Sequence, residues 1–199
     1  MKTLHRLIAL SLMFALVGLA TAGDPAAALN AQIDAAAGLG DKVKVFAKAS
    51  LVEVCLDKVL VKETAVQNAR KVSLAAIKKI DEQWQGAEDE LPIQQQMQSN
   101  ACAKHLIQIV KESPAIVEVF VMDDQGAVVG ENQLTSDYWQ GDESKWKNSF
   151  NDGKGGIDVG KLRLDRSSGA ELQQVSLPLF DADGKVIGAI TFGLAIARI

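Results

Sequence analysis

Val175-Ser176-Leu177-Pro178-Leu179-Phe180, Asp181-Ala182-Asp183-Gly184 and Lys185-Val186-Ile187-Gly188-Ala189-Ile190-Thr191-Phe192-Gly193-Leu194 follow one another near the C-terminus. Two apolar, β-branched runs flank an Asp-Gly turn, the pattern that most strongly marks a β-hairpin. An earlier stretch repeats it: Ile116–Met122, then Asp123-Asp124-Gln125-Gly126, then Ala127-Val128-Val129. Pro114 divides the chain, with helical patterning before it and strand patterning after it.

The strand half reads as five antiparallel strands. Ile116–Met122 is apolar on both faces except for Glu118, which marks a central strand. A third strand over Ile157 to Asp165 alternates, placing Ile157, Val159, Lys161, Arg163 and Asp165 together, opposite Gly160, Leu162 and Leu164. A one-residue slip of that strand would send both bases to solvent. Ser167-Ser168-Gly169 turns into the fourth strand, Glu171 to Phe180. On the fifth, Val186, Ile190, Phe192, Leu194 and Ile196 share a face, and the other face is small, with Ala189, Thr191, Gly193 and Ala195. A face that small suits a closely packed helix or a cavity. The polar connection between the second and third strands holds Tyr138, Trp139, Trp146 and Phe150. These aromatics either cap the core or form a lid over a small ligand.

In the helical half, one long helix is expected from Ala26, kinked at Gly38 and Gly40, its stripe running on through Val43, Phe46, Leu51 and Val54. A second helical region runs from Lys58 to Trp84. It places Val72, Ala76, Ile80 and Trp84 on one face, with Ser73 as a cap and a terminating left-handed Gly86. A third helix starts at Pro92, carries Cys102, Leu106 and Ile109 on one stripe, and stops before Ser113-Pro114.

Lys2, His5 and Arg6 precede an apolar run from Leu7 to Ala20 and a small-residue site, Ala20-Thr21-Ala22. This describes a secretory signal peptide over residues 1–22, cleaved near Ala22. The run is shorter than the ~18 residues of a spanning helix. Removal leaves 177 residues with 19 basic and 25 acidic side chains, a formal charge of −6. Residues 23–113 and 114–199 then form one domain of ordinary size.

An acidic chain with no basic tract has no electrostatic footprint for nucleic acid or anionic lipid. Cys102 and His105 share a helix face, yet the only other histidine is His5, so a zinc site lacks ligands. No haem attachment motif occurs, and Gly153, Gly155 and Gly156 do not form a phosphate loop. No cofactor is expected. With no histidine after Pro114, no Ser/His/Asp or Cys/His set can be assembled on the sheet, and the chain reads as a non-enzyme. In an oxidising compartment, Cys55 and Cys102 are expected to pair. The bridge would close a long loop and contribute about 4 kcal/mol. Two buried free thiols are the alternative.

Three segments carry a family resemblance. Phe120-Val121-Met122-Asp123-Asp124-Gln125-Gly126 resembles the first hairpin of extracytoplasmic PAS-like domains. Thr135–Trp146 is similar to the crossover of Cache sensor domains of the PDC type, and Val175–Gly188 to their closing hairpin. The resemblance implies an α+β fold: long N-terminal helices packed on a five-stranded antiparallel PAS-like sheet, a single Cache domain.

It also implies a small organic ligand, a carboxylate or an amine, held between sheet and crossover. Tyr138, Trp139 and Trp146 would supply walls, and Lys161 and Arg163 would meet an anionic group. Asp137 or Asp142 would take an ammonium, and Thr191 lies on the small face of the sheet. Family members pass their signal across a membrane to a kinase or methyl-accepting domain. With nothing after Ile199, this chain is expected to be a periplasmic sensor module acting through a separate membrane-bound kinase or chemoreceptor. The alternative is a structural or regulatory interaction protein with a PAS-like fold, no pocket, and a homodimer surface on its N-terminal helices.

Overall fold

A computed structural model of the chain describes residues 24–164 and 171–199. The expected signal peptide, Asp165 and the Ser167-Ser168-Gly169 turn lie outside the described residues. Among those described, no helix is long and apolar enough to cross a membrane.

The fold is α+β. Helices α1 (Pro25–Ala35), α2 (Asp41–Phe46), α3 (Val52–Val54), α4 (Lys58–Ala69), α5 (Leu74–Gln85), α6 (Pro92–Ser99) and α7 (Ala101–Glu112) precede the sheet. Strands β1 (Ile116–Met122) and β2 (Val128–Glu131) are followed by helix α8 (Ser144–Phe150). Strands β3 (Asp158–Val159), β4 (Arg163–Leu164), β5 (Glu171–Phe180) and β6 (Val186–Ala195) complete an antiparallel sheet ordered β2-β1-β6-β5-β3, with β4 also on β5. The connection between the second and third strands thus contains helix α8.

The helices break where local chemistry offers a competing partner for the backbone. Asp57 caps α4 by accepting from the Val59 and Leu60 N–H groups, and Ser73 caps α5 through Ala76. The helix expected from Pro92 to Ser113 is two helices, because the Asn100 side chain accepts from Ala103 N–H and starts α7 anew. With Ser73 outside the helix, the buried face of α5 becomes Ile77, Asp81 and Trp84, not the Val72 stripe. Gly86 ends α5 at φ −91° and ψ 2°, not in the left-handed region. Between α2 and α3, Ala47–Leu51 winds as a π-helix.

Phe192, Ile190 and Leu194 of β6, with Val119, Val121, Val175, Leu177 and Leu179, form the helix-facing side of the sheet and pack with Leu29, Ile33, Leu51, Leu60 and Leu106. The two cysteines are buried in this layer as free thiols, which corrects the expected disulfide. The space over Gly130 of β2 is filled by the Cys102 side chain, so this sulfur packs against the sheet. Burial pushes both thiols well above their ordinary range, leaving them protonated and inert.

Gly130 is what lets α7 approach. A Cβ there would lie 2.7 Å from Cys102 Cβ, 2.8 Å from its Sγ and 2.9 Å from Ala103 N. Gly130→Ala is therefore expected to cost about 3 kcal/mol, the upper end for overpacking, read as a shifted urea midpoint at unchanged slope. An unshifted midpoint would show that α7 can slide away at little cost.

The third strand is not continuous, which corrects the five-strand count. Asp158 and Val159 pair with Ser176 and Val175, whereas Arg163 and Leu164 pair with Leu172 and Glu171. One extra residue is inserted over Gly160–Leu162, a bulge that shifts the register by one. Paired residues in an antiparallel ladder share a face, so Val159 faces the helices while Arg163, opposite Leu172, moves to the other side with Gln174 and Ser176. The alternation expected for this strand is thus reversed after Gly160.

Candidate functional site

The sheet face away from the helix layer carries Glu118, Phe120 and Met122 of β1, Glu131 of β2, and Ala189, Thr191 and Gly193 of β6, with Gln174 and Ser176 of β5 and Arg163 of β4. Helix α8 covers one end. Trp146 and Phe150 stack at 5.0 Å and pack over Phe120, Met122 and Ala189. At the other end a cleft runs past Gly193. A Cβ on Gly193 would lie 2.9 Å from Glu118 Cβ and 3.0 Å from its Oε2, so the Glu118 side chain takes the space over this glycine. The small face of β6 therefore serves helix packing at Ala189 and a cleft at Gly193.

Two adjoining cavities of about 360 and 310 Å³ occupy this open end and share Glu118, Arg163 and Gln174. The larger is rimmed by Lys161, Leu164 and Leu172, with Gln133 and Val117. The smaller lies under the start of the crossover, against Thr135, Asp137, Gln140, Glu143 and Lys145, with Phe120 as floor. Gln174 Nε2 donates to Glu118 Oε2 at 3.0 Å. Lys145 pairs with Glu143 at 3.0 Å, and its ammonium stands 5.4 Å from the Phe120 ring centroid. Lys161 and Arg163 thus line the same cleft as the Glu118 carboxylate of β1.

The crossover that roofs the smaller cavity is fixed by buried acceptors. Asp81 Oδ1 accepts from the backbone N–H of Tyr138 at 2.8 Å and of Trp139 at 2.9 Å. Trp84 Nε1 donates to the Thr135 carbonyl at 3.0 Å. Glu131 is fully buried, and its Oε2 accepts from Thr135 N at 3.0 Å and lies 2.8 Å from Thr135 Oγ1. Burial, only partly offset by these two hydrogen bonds and reinforced by nearby Glu118, raises the Glu131 carboxyl to about 7. Its other oxygen, Oε1, has no partner, and neither has Oε1 of buried Gln140.

Of the side chains singled out in the sequence, Lys161 and Arg163 line the cleft. Arg163 reaches it through the register slip. Trp146 is on the cleft side of the sheet but is spent on packing, with its Nε1 donating to the Asp123 carbonyl at 2.9 Å. Thr191 is fully buried on the same face, its hydroxyl 2.8 Å from that of Ser176. Asp142 is exposed, and its carbonyl accepts from Lys147. Tyr138 and Trp139 turn toward the helices. Tyr138 packs with Trp84, Ile77 and Met97, where burial raises its hydroxyl to about 12. The Trp139 indole donates to the Gln125 carbonyl at 2.8 Å and lies 4.3 Å beneath the Lys78 ammonium.

Glu118, Glu131, Gln174 and Gln140 were not singled out as site residues. Only Glu118 carried a signal, as the one charged side chain in an otherwise apolar central strand.

No protein-family model matches the chain. No curated protein matches it in sequence. Among solved structures, it is similar to the ligand-binding domain of the Pseudomonas aeruginosa amino acid chemoreceptor PctC in complex with GABA. The identity is 12%, the TM-score 0.38, and the match covers 68% of this chain and 56% of the other. The ligand-binding domain of the Campylobacter jejuni chemoreceptor Tlp3 with L-valine matches at 18% identity and TM-score 0.35, covering 75% of this chain and 63% of the other. For the Pseudomonas fluorescens chemoreceptor CtaA domain with L-serine the values are 11%, 0.35, 61% and 51%. In each case this chain spans less than two thirds of its neighbour. All three neighbours are ligand-binding domains of chemoreceptors.

Proposed function

We propose that the chain is an extracytoplasmic sensor module that binds a small zwitterionic or carboxylate ligand in the cleft and reports it to a separate membrane partner. One observation carries this reading. Half-buried Glu118, lying over Gly193, lines the same cleft as Arg163 and Lys161. An arginine there can hold a carboxylate with two hydrogen bonds, and Glu118 can accept from an ammonium. The cavity volumes suit a ligand at the small end of the usual range. A cleft of this kind favours the binding reading over a pocketless interaction module.

Isothermal titration of the purified, ligand-free protein tests it, against organic acids, amines and amino acids including L-valine, L-serine and 4-aminobutyrate. A ligand that binds is expected to lose roughly 10- to 100-fold in affinity in Arg163→Ala, the equivalent of a charge-assisted hydrogen bond. Arg163→Lys should recover only part of it, because an ammonium cannot make the planar two-point contact. A folded protein that binds nothing in the panel would sink the proposal.

A further inference from the structure

Thr135 Oγ1 is placed between two oxygens that ordinarily only accept. It lies 2.8 Å from Glu131 Oε2 and 2.9 Å from the Asp137 carbonyl. A hydroxyl has one proton, so it cannot donate to both. The carbonyl can never donate, whereas a carboxyl can when it carries a proton. The arrangement closes if Glu131 Oε2–H donates to Thr135 Oγ1, Oε2 still accepting from Thr135 N–H on a lone pair, and Thr135 Oγ1–H donates to the Asp137 carbonyl. The Asp137 carbonyl also accepts from Gln140 Nε2 at 2.8 Å. One proton on Glu131 thus completes a chain from β2 through Thr135 and Asp137 to Gln140, and the last three line the smaller cavity.

The surroundings favour the neutral acid. No lysine, arginine or histidine among the described residues pairs with Glu131. From β1 it faces the carboxylate of Glu118, which repels a second negative charge. Helix α6, packed on β2, contains no ionisable residue. Helix α7 presents the Cys102 thiol to neighbouring Gly130, protonated by burial. The crossover adds Asp137, whose Oδ1 accepts from Ser136 and Gln140. Asp81 of α5 is taken up by the Tyr138 and Trp139 amides.

We propose that Glu131 is a positioning residue held as a neutral carboxylic acid, whose proton fixes the start of the crossover over the cleft and so couples ligand binding to pH. The coupling rests on the cleft being the ligand site. Ionisation removes the donor to Thr135, turns the Thr135 hydroxyl toward Glu131, and takes one hydrogen bond from the Asp137 carbonyl. It also leaves a buried charge that only hydration can relieve, which loosens the crossover.

The test has two arms. In the first, the Glu131 carboxyl carbon of the isotopically labelled protein is titrated by NMR, with Glu131→Gln for assignment. A midpoint near 7 is expected. The Thr135 and Asp137 amide signals should move with the same midpoint, and that movement should vanish in Glu131→Gln. A midpoint near the ordinary 4.5, or crossover signals that ignore Glu131, would overturn the proposal. The wild-type titration decides this even where the variant fails to fold.

In the second arm, L-valine and 4-aminobutyrate are titrated calorimetrically into both proteins at pH 6 and pH 8. The wild type should bind about five- to tenfold more weakly at pH 8, the size of one lost buried hydrogen bond. Glu131→Gln should change less than about twofold, since it has no proton to lose. Wild-type affinity that is flat in pH would overturn the coupling. Should neither probe bind at any pH, the ligand reading fails for them, while the carboxyl titration still decides the state of Glu131.

Discussion

Asp81→Ala is expected to lower the melting temperature by about 6–12 °C, although Asp81 is not among the residues that line the cleft. Its Oδ1 is the acceptor for the Tyr138 and Trp139 amides. Alanine leaves two N–H groups without a partner in a region where Tyr138 is only 7% exposed. A buried donor left unpaired costs about 1–3 kcal/mol, so two come to about 3 kcal/mol after partial relaxation. In a chain of this length each kcal/mol shifts melting by about 2–4 °C. Asp81→Asn keeps an acceptor oxygen and should lose less than half as much. Thr135, Asp137 and Gln140 lie on the same short segment as Tyr138 and Trp139, so ligand affinity should fall with stability. Calorimetric melting of the three proteins measures the effect. A drop below about 2 °C in Asp81→Ala would mean that the crossover finds other acceptors.

A pH series separates Glu131 from the remaining carboxylates. Between 4.5 and about 7 the unfolded carboxyl is ionised while the folded one keeps its proton. The folded state binds more protons over that window, so its stability must fall as pH rises, then level off above about 7. The full amplitude is about 3 kcal/mol. Burial shifts Asp123 and Asp124 in the same direction, so the useful quantity is the difference between wild type and Glu131→Gln. Urea unfolding from pH 4 to pH 8 should show the wild type losing about 3 kcal/mol against the variant, all of it below about pH 7. Parallel curves for the two proteins would show that Glu131 has an ordinary carboxyl in the fold.

The frame of the molecule was readable because its signals are local. Asp-Gly turns, the alternation of β6 and the break at Pro114 each depend on a few neighbouring residues, and together they define the split between helices and sheet. The register of the third strand was not local. Gly160-Lys161-Leu162 alternates smoothly, and only pairing with β5 shows that an extra residue is absorbed there. That slip decides where Arg163 points. Tyr138 and Trp139 looked like walls because aromatics in a polar connection are unusual. Their partner, Asp81, lies 57 residues before Tyr138 on a helix whose cap moved its buried face by one position. Glu131 ends a short strand and resembles any exposed carboxylate in sequence. Its burial follows from pairing with Phe120 and from the crossover folding back over it.

The interrupted third strand also bears on how the protein behaves at high concentration. It lies at the free edge of the sheet, with Leu162 and Leu164 at 50% and 65% exposure. An unbroken apolar edge would offer a regular row of amide groups for a second copy to add a strand, the usual start of aggregation. The inserted residue at Gly160–Leu162 breaks that row in the middle and bends the strand between its two short halves. The irregularity that turns Arg163 toward the cleft therefore also protects the sheet from templating its own assembly.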